Sequence, residues 1–238
     1  MNYIDLTLPT PEENLALDEY LLDSAEAGRT GEILRFWEPS GTFVVLGYSR
    51  RLASDVHVDA CRRDNVPILR RFSGGGTVLQ GPGCLNFTLV LKTEEPSPFQ
   101  NITQTNRIVM ERHRWALQRL IADPVRVQGI TDLTLGPLKF SGNAQRRGRR
   151  HTLFHGSFLH RFDIAAVERY LCLPDKQPAY RRNRPHATFL TNLPLSARQI
   201  KQALRLCWKA EEQLRPKLNG RLAPLATRHR TSGWINRF

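Results

Sequence analysis

The spacing of apolar residues predicts a helix followed by two strands at the start of the chain. Leu17 and Leu21 lie one helical turn apart, and a threonine begins a capping sequence just before them, so residues 11–26 are predicted to form an amphipathic helix. Short apolar and aromatic runs at 34–37 and 42–48 predict two strands that a Pro-Ser-Gly turn separates. The leucines of the helix are therefore expected in the core.

The same pattern predicts both helices and strands in the second half of the chain. An apolar stripe is typical of a helix over residues 102–121. Two short runs within 131–140 are joined by a Gly-Pro pair and predict a hairpin, and the alternating run 153–159 predicts a neighbouring strand. Residues 196–215 are predicted to form a helix, whereas the basic tail 221–238 has no clear period.

A glycine-rich stretch stands between two strand-like segments and is the first candidate for chemistry. Residues 70–79 read RRFSGGGTVL, and the alternating run 85–91 follows them. Three consecutive glycines permit positive φ and let backbone N–H groups converge on an anion. Arg70 and Arg71 add charge that suits a phosphate or a carboxylate. The alternative interpretation is a tight hairpin that happens to have arginines beside it.

A second polar stretch combines a lysine with small residues. Residues 139–147 read KFSGNAQRR, and His155, Gly156 and Ser157 follow. A lysine beside a small, polar, glycine-containing segment suits a site that holds a phosphate ester and polarises a carbonyl. Taken with the glycine-rich stretch, it predicts a site for an activated acyl group or a nucleotide.

The glycine-rich stretch, the lysine-containing stretch and the His155-Gly156-Ser157 sequence that follows, in this order, resemble the lipoate–protein ligase A family. The resemblance begins near Asn14, includes Trp37 and residues 44–47, and reaches about Leu193. It implies an α+β fold, with a mixed, mainly antiparallel sheet flanked by helices, as in class II aminoacyl-tRNA synthetases and biotin ligases. The expected organisation is a catalytic domain over residues 1–195. A basic helical extension, 196–238, is expected to pack on that domain.

The resemblance implies a ligase that uses ATP and lipoate. Lipoate attacks the α-phosphorus of ATP to give lipoyl-AMP, and a lysine of a carrier protein then takes the lipoyl group. Lys139 is the expected catalytic residue, because a fixed ammonium stabilises charge in both transition states. Asp132 is expected to coordinate Mg²⁺, which ATP chemistry usually requires. The expected lipoate- and ATP-binding residues are Arg71, Ser73, Gly74, Gly75, Gly76, Thr77, Val78, Leu79, Asn86, Lys139, Ser141, Gly142, Asn143, Ala144, His155, Gly156 and Ser157.

The chain departs from the family pattern just after the glycines. The usual ligase has a His-Asp pair there, whereas this chain has Gly81-Pro82-Gly83, which resembles the octanoyltransferase branch of the superfamily. The alternative function is therefore octanoyl transfer from acyl carrier protein to a lipoyl domain. Cys84 is a possible thiol nucleophile. Cysteine-dependent octanoyltransferases, however, carry their cysteine either upstream of the Lys-x-Ser-Gly segment or later in the chain, and Cys172 lies only near the later of these two positions. ATP-dependent ligation is the favoured interpretation.

Positive charge adds a prediction about partners. The formal net charge is +13, and residues 201–238 hold nine basic and two acidic residues. Such a surface attracts polyanions. Aromatic residues make up only 8% and are not interleaved with the basic clusters, so nucleic acid is the less favoured partner. The charge favours an acidic lipoyl carrier, namely an E2 lipoyl domain, a glycine-cleavage H protein or a specialised lipoate-binding protein.

Length and composition complete the expectations. Full-length ligases of the family carry a further C-terminal domain, for which 238 residues are too few, so a separate small accessory subunit or domain is a possible partner. No apolar run approaches the ~20 residues of a membrane helix, and the N-terminus lacks the features of a signal peptide. A cytoplasmic protein is therefore predicted. The four cysteines are widely spaced, so neither a zinc site nor a disulfide framework is expected.

Overall fold

Two β-sheets and a set of helices make up the computed structural model, which describes residues 1–216, 218 and 220–238. One sheet has seven strands in the order β1-β2-β6-β10-β9-β8-β7, and the other has three in the order β4-β3-β5. The strands are β1 Asn2–Asp5, β2 Ile33–Trp37, β3 Phe43–Leu46, β4 Ile68–Arg70, β5 Val78–Gln80, β6 Cys84–Lys92, β7 Val125–Gln128, β8 Asp132–Leu135, β9 Leu138–Arg147 and β10 His151–Leu159.

The helices lie between and after these strands. They are α1 Pro11–Glu26, α2 Leu52–Asp55, α3 Val58–Arg63, α4 Ile102–Gln118, α5 Ala166–Tyr170, α6 His186–Phe189, α7 Ala197–Cys207, α8 Leu222–Arg230 and α9 Ser232–Ile235. A short 3-10 turn covers Ala179–Arg181. In the part of the chain that the structure describes, no helix combines the length and the apolar character that crossing a membrane requires.

The sheets are mixed and mainly antiparallel, as predicted. Strand β1 pairs with β2 in parallel, and β3 pairs with β4 in parallel. The other described strand pairs are antiparallel, including the long pairs of β10 with β6 and β9. The two strands predicted on either side of the Pro-Ser-Gly turn both form, but β2 joins the large sheet and β3 the small one. The turn therefore carries the chain from one sheet to the other.

Helices cover both faces of the seven-stranded sheet. On one face, α4 and α7 pack over Phe87, Phe154 and their neighbours in the largest buried apolar cluster. On the opposite face, Leu17 and Leu21 of α1 and Leu222 of α8 form a second buried cluster. This places a helical layer on each side of the sheet, so the predicted α+β fold is confirmed.

Helix α1 forms over the predicted residues 11–26 because its start is well capped. The Thr10 hydroxyl accepts from the Glu13 N–H, and the Glu13 carboxylate accepts from the Thr10 N–H. This reciprocal capping box satisfies donors that the first helical turn leaves free. Glu12 and Glu13 also place negative charge at the positive end of the helix.

One prediction for the C-terminal part is wrong. The helix predicted over 196–215 ends at Cys207, because the next residue, Trp208, is buried in the core and Lys209 has a φ of 50°. The tail 221–238, which showed no clear period, contains α8 and α9. Their contacts with the rest of the chain, rather than a regular apolar stripe, stabilise these short helices. The division of the chain at residue 195 stays a prediction.

Candidate active site

A cavity of about 830 Å³ opens between the three-stranded sheet and one end of the strands of the seven-stranded sheet. Gly75 and Gly76 of the glycine-rich loop, residues 71–77 between β4 and β5, form one part of its wall, and Lys139 of β9 forms another. Residues 174–181 close a third side. Two stretches that lie about sixty residues apart in the sequence therefore face the same space.

Of the expected lipoate- and ATP-binding residues and Asp132, all but two line this cavity. Ser73 and Gly74 are outside the wall, and Ser73 is fully buried behind it. The structure brings to the wall Arg71, Gly75, Gly76, Thr77, Val78, Leu79, Asn86, Asp132, Lys139, Ser141, Gly142, Asn143, Ala144, His155, Gly156 and Ser157.

A row of residues across four strands forms the floor of the cavity. Trp37 of β2 faces Asn86 of β6, Asn86 faces Ser157 of β10, and Ser157 faces Gly142 of β9. Opposed residues of antiparallel strands point to the same face, so all four lie on one side of the sheet. Three strand spacings of about 4.8 Å make the row roughly 14 Å long. The floor therefore suits a slender ligand that lies across the strands.

The two ends of this row differ in chemistry. A Cβ atom on Gly142 would lie 2.9 Å from Lys139 Nζ, so the ammonium sits directly over that end. The other end is the Trp37 indole, which is buried beside Leu15 and Val45. Trp37 Nε1 and Asn86 Nδ2 are buried without a hydrogen-bond partner. The row thus has a cationic end and an apolar end, with unpaired donors along it.

The Lys139 side chain is held in place by a carboxylate and a phenol. Its Nζ lies 2.8 Å from Asp132 Oδ1, and the Tyr180 hydroxyl donates to Asp132 Oδ2 at 2.7 Å. Burial and the nearby Asp132 carboxylate raise the pKa of Tyr180, so the phenol keeps its proton and remains a donor. Tyr180 lies in the short 3-10 turn Ala179–Arg181, and no periodic signal in the sequence marked it.

The same contacts bear on the magnesium assignment. Both Asp132 oxygens are occupied, one by an ammonium and one by a phenol. In the described ranges there is no group of three or more His, Cys, Asp or Glu side chains placed to hold a metal ion. These residues do not fit a resident Mg²⁺ ion held by the protein, and Mg²⁺ that enters with ATP belongs to the substrate. The role of Asp132 as a metal ligand stays a prediction.

The glycine-rich loop is packed so closely at Gly75 that this position needs a glycine. Gly75 has a φ of 87°, and a Cβ there would lie 2.9 Å from a guanidinium nitrogen of Arg71. A Cβ on Gly47, in the loop after β3, would lie 2.0 Å from the Gly75 carbonyl oxygen. The Tyr48 N–H donates to the Ser73 carbonyl oxygen at 2.9 Å. The loop after β3 therefore supports the glycine-rich loop from behind.

Arg71 is buried beneath the glycine-rich loop and binds its carbonyl oxygens. Its Nη2 donates to Gly74 O at 2.6 Å and to Gly76 O at 2.7 Å. The described residues give it no carboxylate partner, and burial lowers the pKa of Arg71 to about 10. Its donors are therefore directed at loop carbonyl oxygens, while its positive charge lies beside the cavity.

A buried chain of hydrogen bonds connects Arg71 to helix α1. Arg71 Nε donates to Ser73 Oγ at 3.1 Å, and Ser73 Oγ lies 2.6 Å from His155 Nε2. His155 Nδ1 lies 3.0 Å from Asp18 Oδ2, and Asp18 Oδ1 accepts from Arg35 at 2.5 Å. Burial alone would raise the pKa of Asp18, but Arg35 and His155 outweigh it, so the carboxyl is held below its usual range.

Arginines at both ends give this chain one consistent direction. Arg71 can only donate, so Ser73 Oγ accepts from it, and the Ser73 hydroxyl can in turn donate a hydrogen bond to His155 Nε2. His155 then donates from Nδ1 to Asp18. Ser73 is fully buried, so its hydroxyl fixes the loop and is not placed as a nucleophile. Sequence reasoning missed Asp18 and Arg35, although an arginine within the apolar strand β2 was a signal of a buried partner.

The cysteines differ in their access to the cavity. Cys84 is fully buried outside the cavity wall, and burial raises the pKa of its thiol to about 12. Cys172 lies on the cavity wall, partly exposed, with its Sγ 3.7 Å from His57 Nδ1. Burial also raises the pKa of the Cys172 thiol. Of the two cysteines considered from sequence, only Cys172 is placed to meet a ligand.

Proteins with similar sequences are named as lipoate ligases. The chain is 29% identical over 161 residues to a probable lipoate-protein ligase A of Mycoplasma pneumoniae. This alignment covers 68% of this chain and 46% of that protein. It is 30% identical over 206 residues to an Aeropyrum pernix protein named as a lipoate-protein ligase A. This alignment covers 86% of this chain and 73% of that protein. Octanoyltransferase LipM of Staphylococcus aureus is 24% identical over 185 residues. The chain spans about half the length of the first of these relatives.

Similar solved structures share the fold along the whole chain. A Thermoplasma acidophilum protein solved with bound lipoic acid has a TM-score of 0.79 at 21% identity, with 98% of each chain covered. A lipoate-protein ligase A bound with ATP has a TM-score of 0.77 at 22% identity, with 99% of this chain and 98% of that chain covered. At these identities the likeness shows the fold alone.

The family itself is shown by a match over most of the chain. Residues 10–204 match the family described as the lipoyl protein ligase A/B catalytic domain. This span contains the glycine-rich loop, Lys139 and His155, and therefore most of the cavity wall. The chain belongs to the lipoyl protein ligase A/B catalytic-domain family, and the resemblance found in its sequence is confirmed.

Proposed function

We propose that this protein activates lipoate with ATP to lipoyl-AMP and transfers the lipoyl group to a lysine of a carrier protein. The observation that carries this proposal is the shared cavity, in which Lys139 faces the glycine-rich loop above a floor with one cationic and one apolar end. Similar proteins named as lipoate-protein ligases, and a similar structure titled as bound with ATP, support it.

The cavity floor orients the acyl chain in this proposal. An extended eight-carbon chain measures roughly 9 Å at about 1.2 Å per bond, which fits within the roughly 14 Å row. The carboxylate lies at Lys139 because that end carries the ammonium, and the hydrocarbon part lies towards Trp37, where the wall is apolar. The acyl carboxylate is then placed next to the glycine-rich loop.

The loop and Lys139 together stabilise the charge that develops during adenylation. A lipoate carboxylate oxygen attacks the α-phosphorus of ATP, and pyrophosphate leaves. Both reactants are anions, so the Lys139 ammonium, the Arg71 charge and the loop N–H groups offset their repulsion. In the second step the carrier amine attacks the lipoyl carbonyl and AMP leaves. The protein forms no covalent bond in either step and acts by positioning and electrostatics.

One incubation tests the activation step. The full chain is mixed with ATP, Mg²⁺ and lipoate, and native mass spectrometry is used to detect protein-bound lipoyl-AMP while released pyrophosphate is measured. We expect both products, with neither formed when lipoate is left out. Pyrophosphate release that does not depend on lipoate, or no adenylate at any ATP concentration, would contradict the proposal.

The expected carrier is an acidic lipoyl protein. The net charge of +13 provides long-range attraction that weakens as salt is added. A similar structure is titled as a bi-partite lipoate protein ligase of Thermoplasma acidophilum with its E2 lipoyl domain. Such an assembly supports a lipoyl domain as the carrier and an accessory subunit as a possible partner of this chain.

Octanoyl transfer is the second candidate, and Cys172 is the observation that favours it. Its thiol lies on the cavity wall beside His57, and Octanoyltransferase LipM is among the similar proteins. In this reaction the Cys172 thiolate attacks the thioester of an acylated carrier and releases the carrier thiol. The new enzyme thioester is then taken by a lipoyl-domain lysine. The raised pKa of Cys172 opposes this function, because it lowers the thiolate fraction.

Two cysteine variants separate the candidates. We expect Cys172→Ser and Cys84→Ser to retain lipoyl-AMP formation within about threefold of the original protein, because neither thiol acts in adenylation. The measurement is the rate of adenylate formation, with octanoyl transfer from acyl carrier protein measured in parallel. Octanoyl transfer that is present in the original protein and in Cys84→Ser but lost in Cys172→Ser would instead establish the thioester route.

Replacement of Tyr180 by phenylalanine is expected to slow adenylation about tenfold. The change removes the donor that fixes Asp132, so the ion pair that positions Lys139 loosens. A hydrogen bond to a charged group contributes about 1.5–3 kcal/mol, and part of that is recovered from water. The rate is measured at saturating ATP. Tyr3→Phe, which removes a hydroxyl bonded to Gln213 away from the cavity, is the matched control and should leave the rate unchanged.

A further inference from the structure

The C-terminal helices α8 and α9 lie beyond the matched family span, which ends at residue 204. They nevertheless pack against the elements that support the glycine-rich loop. Leu222 and Ala226 of α8 are buried in the same apolar cluster as Leu17 and Leu21 of α1. His229 Nε2 lies 3.3 Å from the Glu19 carboxylate, which adds a polar contact between the two helices. The tail is therefore anchored to the core up to the start of α9.

Arg70, the residue before Arg71, joins this tail to the loop after β3. The side chain is fully buried and carries no carboxylate partner within the described residues. Its Nη1 donates to the carbonyl oxygens of Gly47, Tyr48 and Arg50, at 2.7–2.9 Å. Its Nε donates to the carbonyl oxygens of Trp234 and Ile235, at 2.9 and 3.2 Å. One guanidinium thus binds two backbone segments that are far apart in sequence.

Side chains of the tail also bind the backbone carbonyl oxygen of Arg70. The Arg70 carbonyl oxygen accepts from Trp234 Nε1 at 2.9 Å, and His229 Nδ1 lies 2.7 Å from it. The Trp234 ring makes an edge contact with Tyr48, with ring centroids 5.8 Å apart. Tyr48 in turn donates its N–H to the Ser73 carbonyl oxygen. A continuous set of contacts therefore runs from the tail through Arg70 and Tyr48 to the glycine-rich loop.

We propose that residues 222–238 complete the active site, and that Trp234 and Arg70 are positioning residues for the glycine-rich loop. The choice of ATP as the ligand of that loop rests on the proposed function. The tail holds the segment 47–50, and this segment holds the loop at Ser73 and Gly75. The loop then presents its N–H groups to the nucleotide in one conformation, so that binding does not have to order it.

The geometry indicates which kinetic constant the tail controls. Trp234 and Arg70 do not line the cavity, so neither touches the acyl chain or the reacting atoms. A looser loop costs ordering energy each time a nucleotide binds. It therefore raises the KM for ATP, whereas the KM for lipoate, set at the Trp37 and Lys139 ends of the floor, is unchanged.

Trp234→Phe tests the proposal with little risk to folding. The variant keeps a ring against Tyr48 and loses the N–H that donates to Arg70. One lost hydrogen bond corresponds to about a fivefold change. We expect a rise of about that size in the KM for ATP at pH 7.5, with kcat and the KM for lipoate within twofold. Trp115→Phe, which alters an exposed tryptophan on α4 away from the cavity, is the matched control.

Hydrogen–deuterium exchange on the same variants gives a readout that does not depend on activity. We expect faster exchange in Trp234→Phe at residues 47–50 and 73–76, and no change there in Trp115→Phe. Arg70→Lys keeps the charge but cannot reach both sets of carbonyl oxygens, and should accelerate exchange further. If kcat, the KM for ATP and the KM for lipoate all change by the same factor, the tail is merely structural. Exchange that rises only within α8 and α9 would show the same.

The two proposals fail in different ways. If the original protein forms no lipoyl-AMP, the proposed function is wrong, and the exchange experiment still decides whether the tail orders the loop. If the original protein forms lipoyl-AMP but Trp234→Phe leaves both the KM for ATP and the exchange of residues 47–50 unaltered, the proposed role of the tail is wrong and the proposed function stands.

Discussion

Replacement of Lys139 by alanine is expected to reduce lipoyl-AMP formation by at least about a thousandfold while the protein remains folded. The ammonium lies at the cationic end of the cavity floor, and in the proposed reaction the lipoate carboxylate and the α-phosphate meet there. Removal of a preorganised charge-stabilising group typically costs about 10²–10³ in rate, and here two anions lose the same counter-charge. Folding should be little affected, because the Lys139–Asp132 pair is partly exposed.

A second substitution, at Asp132, provides an additional test of the role of Lys139. In Lys139→Ala its carboxylate faces the reacting anions with no ammonium beside it. The double variant Lys139→Ala with Asp132→Asn removes that repulsion, so it should be more active than Lys139→Ala alone. Adenylate is measured by mass spectrometry and pyrophosphate by a coupled assay. Lys92→Ala removes an exposed lysine away from the cavity and serves as control, with a change below about threefold expected. Lys139→Ala activity within tenfold of the original would refute the assigned role.

Replacement of Gly47 by alanine is expected to raise the KM for ATP more than about a hundredfold. The added Cβ would lie 2.0 Å from the Gly75 carbonyl oxygen, a distance that no backbone tolerates. The glycine-rich loop must move away, and with it the N–H groups that we propose bind the nucleotide. Overpacking of this kind typically costs 1–3 kcal/mol, so the melting temperature should fall by several degrees while the fold persists.

Gly74 provides the matched control for this variant. It belongs to the glycine triplet, but a Cβ there would meet no atom within 4 Å, and its φ is not in the left-handed region. Gly74→Ala should therefore leave the KM for ATP within about twofold. The pair separates steric support of the loop from a general need for glycine. Equal effects in Gly47→Ala and Gly74→Ala would show that backbone freedom, and not the contact behind the loop, limits nucleotide binding.

The parts of the site that could be predicted from sequence are those with a recognisable local sequence pattern. Consecutive glycines between strand-like runs, and a lysine in a small polar segment, are unusual enough to be recognised without coordinates. The capping sequence at Thr10 likewise defined the start of α1. These features depend on neighbours within a few residues, so the sequence contains all the information that they require.

The missed residues depend on contacts between distant segments. Asp18 and His155 are 137 positions apart, and Trp234 and Arg70 are 164 apart. Neither pair has a local pattern, because each forms only after the sheet has brought its strands together. Tyr180 was missed for the same reason. The early end of α7 has a related cause, since the Trp208 side chain is drawn into the core by Phe99 and His113 of other segments.

The row of residues across β2, β6, β10 and β9 restricts how this chain can change during evolution. Side chains alternate between the two faces of a strand, so a single insertion within β6 would turn Asn86 towards the layer formed by α4 and α7. Hairpin tips can vary in length without that effect, as at residues 148–150 between β9 and β10. Relatives with the same chemistry should therefore differ in length at their turns and keep an invariant residue count inside the central strands.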